Sequence, residues 1–138
     1  MTAENASLNR KRRITGNVLM VLSGLMLIGS SGAKLAHVPA VVTQLGAMGF
    51  TGNRLMFIAV LEIVSAILFL IPLTRSVGFL LVSSYLGGAI ATHLQHGQSI
   101  IQPSFLLVLI WLGTWLRHPV ILWSLNGPAS SPTILKQV

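Results

Sequence analysis

A single carboxylate stands inside the apolar run NRLMFIAVLEIVSAILFLIP, and the chain's other acid, Glu4, lies near its start. Glu62 sits about 10 Å, or seven residues of helical rise, inside the start of that run at Leu55. An ionisable group there costs about 2.5 to 3.5 kcal/mol on insertion scales. The surrounding Leu, Ile, Val and Phe return roughly 5 kcal/mol, so the segment still enters lipid. Its carboxylate must then face protein or a water-filled cavity, where it can pair with a cation, exchange a proton or bond a polar headgroup. The candidate partners are Lys34, in GSSGAKL, and His93 with His96 in SYLGGAIATHLQHG.

Residues three, four and seven apart share a helical face. Around Glu62 that face holds Leu55, Ile58, Ala59, Ser65, Ala66 and Phe69; around Lys34 it holds Ser23, Leu27, Ser30 and Ser31. His93 shares a stripe with Tyr85, Leu86, Ala89, Ile90 and His96, flanked by Ser84, Gly88 and Thr92. Small residues of this kind suit close helix contact in lipid, which is the expected use of Gly87 and Gly88. Lys34, His93 and Glu62 are expected to meet at one depth, with Glu62 and His93 as the reactive groups and Lys34, Tyr85, Thr92 and His96 lining a ligand pocket. Two readings of Glu62 stay open: a structural ion pair that locks helices, and a ligand, proton or redox role.

His93 and His96 have a spacing that can hold a metal, but only Glu62 offers a third ligand, so no metal site is assigned. Nor can two ligands on one helical face take opposite axial positions of a haem. The chain has no GxxxxGK loop, no HExxH and no GxSxG elbow, and no serine has an evident base and orienting acid. With no cysteine, there is no disulfide, thiolate site or CxxC pair. A redox role must use a bound cofactor or a partner.

The elements that position these residues are apolar helices. Of 138 residues 53% are hydrophobic and 8% charged, and the mean hydropathy is +0.80, values that belong to a chain dissolved in lipid. Crossing about 30 Å of hydrocarbon takes roughly 20 apolar residues. Four runs qualify: Ile14 to Ala33, Leu55 to Pro72, Ser76 to Leu94 and Ile100 to Leu116. The expected fold is all-α, an integral membrane four-helix bundle. Pro39, Gly46, Gly49 and Gly52 read as a connection, and the short turn around Leu73 makes spans two and three antiparallel neighbours. Pro103 near its start makes the fourth span short, and VILWSL, at 120–125, continues it past Pro119 or lies along the interface with Trp123.

The formal charge of +7 raises nucleic acid as a partner, but the cations follow the membrane. Arg10 to Arg13, Arg75, Arg117 and Lys136 fall on one side and only Lys34 and Arg54 on the other. The positive-inside rule then places both termini in the cytoplasm, and the basic run is read as contacting anionic headgroups, not nucleic acid. A first run of 20 residues exceeds the about 7 to 15 of a signal-peptide core and reads as a span. The chain divides into a basic cytoplasmic head at 1–13, a transmembrane domain at 14–125 and a polar, disordered tail at 126–138.

The segments GSSGAKL, LGAMGF, Glu62 and above all SYLGGAIATHLQHG resemble the DoxX-like family of small bacterial four-helix membrane proteins, over about residues 14 to 116. The resemblance implies that Lys34, Glu62, Tyr85, Gly87, Gly88, Thr92 and His93 line or shape a common core. Relatives include membrane subunits associated with thiosulfate:quinone oxidoreduction and others linked to membrane-bound oxidative-stress assemblies, while many members have no assigned activity. The expectation for this chain is an inner-membrane accessory or quinone-linked subunit of a redox system, with quinone as candidate cofactor. Its partners would be the lipid bilayer, redox-complex subunits or further copies of itself. The lack of cysteine argues against a direct sulfur relay. The alternative is a binding, transport or assembly module whose buried polar cluster is structural.

Overall fold

The computed structural model describes residues 3–118, and these form five helices and no strand. They are α1 (Ala3–Leu35), α2 (Pro39–Ala47), α3 (Asn53–Leu70), α4 (Arg75–Gln95) and α5 (Ile101–Arg117). The VILWSL segment and the polar tail lie outside the described residues.

Four of the helices follow the apolar runs. α1, α3 and α4 are long and apolar enough to cross a membrane, while the 17 residues of α5 make a shorter apolar helix, about 25 Å at 1.5 Å per residue. Pro103 shortens nothing. It sits in the first turn of α5, where a missing N–H leaves no helical bond unmade.

Two elements depart from the sequence reading. The basic head is helical and continuous with the first span, since α1 runs without a break for 33 residues from Ala3. Its polar stretch AENASLNRKRR lacks apolar periodicity yet consists largely of residues that tolerate a helix. The first connection also contains α2, which Pro39 opens at a position suited to its fixed φ. The true punctuation comes after it, at Gly49 (φ 82°) and Gly52 (φ 53°), where the backbone takes a conformation that a Cβ would oppose.

α1 packs against α3 and α5, and α4 packs against the same two helices. The core between them is Met20, Leu27, Ala66, Phe69, Phe79, Val82, Leu86, Leu106 and Ile110. Leu25, Phe57, Leu80, Val108 and Trp111 point outward and are exposed, as suits side chains facing a medium that is itself apolar. Three buried serine hydroxyls are satisfied within their own helices. Ser23, Ser31 and Ser65 each donate to the carbonyl four residues earlier, at 2.7, 2.9 and 2.6 Å.

Close packing falls on other glycines than expected. A Cβ on Gly78 would lie 2.1 Å from the Phe69 backbone nitrogen, so α4 meets α3 at main-chain contact there. Gly16 and Gly113 play the same part between α1 and α5. Gly87 and Gly88 do not: both are exposed, and a Cβ on either would meet nothing within 4 Å. Within this chain they leave an open face on α4, with no helix packed against it at these positions.

Candidate functional site

Lys34 is the last-turn cation of α1 and Glu62 lies near the middle of α3. Contact between these helices turns both side chains inward, leaving Lys34 7% and Glu62 3% exposed. The ammonium of Lys34 donates to Glu62 Oε2, and it also donates to Ser30 Oγ, one turn back, at 2.8 Å. A buried charge without a partner is the expensive case, and each of these two removes that penalty from the other. The seven-residue depth of Glu62 is therefore matched by a lysine reaching inward along α1.

The pair forms part of the lining of a cleft of about 530 Å³. Tyr85 and Ser84 from α4 share that lining, as do Thr92 and His93 a turn or two further on. Tyr85 and Glu62 line the same cleft. α5 supplies Gln102, Pro103 and Phe105, and α2 with the residues after it supplies Gln44, Leu45, Met48 and Phe50. Most of the wall is apolar, with polar groups gathered around the ion pair. Such a lining holds a largely apolar guest by its body and orients it by a few polar atoms.

The expected set thus separates into two groups. Lys34, Glu62, Tyr85, Thr92 and His93 come together, and Gly88 lines the cleft as open wall. His93 is not the partner of Glu62, since its Nδ1 donates to the Ser99 carbonyl at 2.8 Å and so pins the loop after α4. That bond fixes the proton on Nδ1 in the neutral ring and leaves Nε2 to accept. His96 and Gly87 lie outside the lining. Beyond the end of α4, the His96 ring bonds the Thr92 carbonyl at 2.9 Å, so a shared stripe with His93 does not carry it into the cleft.

Gln44, Gln102, Met48 and Phe50 were not legible as site residues. A glutamine near a span boundary reads as interfacial, and α2 read as a connection. Comparison with curated proteins gave no match, and comparison with solved structures gave none either. The family model described as DoxX-like matches residues 18–113, the stretch that holds α3, α4, most of α1 and α5, and every ionisable group of the cleft. This small membrane protein belongs to the DoxX-like family.

Proposed function

We propose that the protein is a four-span bacterial inner-membrane subunit, with both termini cytoplasmic, whose outward-facing cleft binds a quinone headgroup in a membrane redox system. The observation that carries this reading is the buried Lys34–Glu62 pair in the lining of an otherwise apolar cleft. Lys34 has three N–H groups and spends two on Ser30 and Glu62, so one remains for a carbonyl oxygen. Tyr85 adds a hydroxyl, and Nε2 of His93 adds an acceptor. Met48, Phe50, Leu61 and Phe105 supply apolar contact for the ring and its tail. Quinone reduction takes up protons, and Glu62 beside Tyr85 is the group placed to pass one. Without cysteine the electrons must come from a bound cofactor or a partner subunit.

Glu62→Gln keeps the shape of the side chain and removes its proton chemistry. Quinone-dependent electron flow in membranes should fall about a hundredfold, the scale of one general acid or base. The protein should still accumulate in the membrane, because the substituted amide keeps an oxygen that accepts from the Lys34 ammonium, and lipid extraction of the purified wild type should yield quinone. Unchanged flow together with lost assembly would favour a second reading, in which the polar cluster only holds helices together, in further copies of the chain or in a larger complex. One observation supports that reading: His93 is committed to Ser99 and not to the carboxylate.

A further inference from the structure

At the end of the molecule opposite the cleft, the four consecutive cations of α1 part company. Arg12 turns to α5, where its guanidinium lies 5.4 Å from the Trp115 ring centroid and donates to the Trp115 carbonyl at 3.3 Å. Arg10 and Arg13, three residues apart, line a groove of about 430 Å³ with Asn17 and Arg117. Arg117 is fixed there, because its Nε donates to Asn17 Oδ1 at 2.8 Å. Arg75 lies nearby and donates to His118 Nε2 at 2.7 Å, while its buried Nε has no hydrogen-bond partner among the described residues. Burial first, then the charges of Arg75, Arg117 and Arg13, hold the His118 imidazole below its ordinary value. Five cationic or ionisable bases thus crowd one corner of a chain that has two carboxylate side chains, and Glu62 is engaged at the other end.

Depth decides what can neutralise this corner. Lys34 and Arg13 are 21 residues apart on one unbroken helix, about 32 Å along its axis. That matches the roughly 30 Å of hydrocarbon between two headgroup layers. With Lys34 at one boundary, the groove lies in the headgroup layer of the other leaflet.

We propose that the groove of Arg10, Arg13 and Arg117 is a binding site for the phosphate of an anionic phospholipid headgroup, with Asn17 holding Arg117 in position and the outward apolar face of α5 receiving the acyl chains. Guanidinium groups suit this because each can present two parallel N–H donors to a phosphate.

Native mass spectrometry of the full chain in zwitterionic detergent, titrated with phosphatidylglycerol, tests the assignment. Arg10→Gln with Arg13→Gln should weaken binding about 25-fold, at about fivefold per basic residue near the surface. The charge-matched pair Lys11→Gln with Arg12→Gln should weaken it less than about fivefold. Both pairs alter exposed side chains, and unchanged helicity confirms that each variant is folded. Equal losses in the two pairs would overturn the site in favour of general attraction. Equal affinity for phosphatidylcholine would also overturn it, as would displacement of the lipid by inorganic phosphate at similar concentration, which would mark a free-phosphate site.

Discussion

Lys34 and Glu62 are each tolerable in the interior only because the other is there. Replacing Lys34 by Met leaves a carboxylate with no cation beside it, and losing one partner of a buried pair costs about 3 to 5 kcal/mol. Lys34→Met should therefore lower the midpoint of detergent-induced unfolding sharply, and Lys34→Met with Glu62→Gln should recover much of the loss. A single variant as stable as the wild type would mean that the contact contributes nothing. Infrared spectra give a second readout: a protonated-carboxyl band should appear in Lys34→Met and be missing from the wild type and the double variant. At this scale the sequence was informative about depth and uninformative about direction. The position of Glu62 and the reach of Lys34 follow from counting residues. Whether His93 or Lys34 makes the contact depends on helix rotation, which a stripe of residues defines only to within a face, and the Ser99 carbonyl outcompeted the carboxylate for the imidazole.

Helix contacts separate glycines that look alike in the sequence. At Gly78 an added methyl would collide with α3 main chain, which cannot swing aside as a side chain would. Gly78→Ala should cost roughly 1 to 3 kcal/mol through forced separation of α3 and α4. Gly87→Ala and Gly88→Ala meet open space and should gain about 0.5 to 1 kcal/mol from helix propensity alone. Thermal unfolding in detergent, followed by circular dichroism, would show opposite signs at the two places. The four apolar runs were legible because lipid demands them. α2 was not, since Pro39 and Gly46 are breakers by type, and only their positions, at the first turn and inside a nine-residue helix, make them harmless. The helical head escaped notice for a related reason: it has no apolar face to betray it, and α1 continues through it for lack of any residue that stops a helix.

For the whole molecule, the cations of the head, the start of α4 and the end of α5 gather at one end, and Lys34 with Arg54 occupies the other. Such an arrangement specifies orientation, and the native chain, free of cysteine, makes it directly measurable. Leu73→Cys lies in the exposed α3–α4 turn and Thr51→Cys in the exposed loop before α3. In intact cells an impermeant maleimide should label the cysteine at 51 and spare that at 73 until the membrane is opened. The reverse pattern would turn the topology over.

The pairing of Lys34 with Glu62 also bears on voltage. Two opposite charges at one depth sum to zero, so the transmembrane field, about 2.3 kcal/mol per charge for each 100 mV, exerts no net pull on them together. The neutral quinone proposed for the cleft would then come and go without electrical work. A proton passed to Glu62 in the proposed quinone chemistry would leave the ammonium alone in the field, and would so couple occupancy to the energised state of the cell.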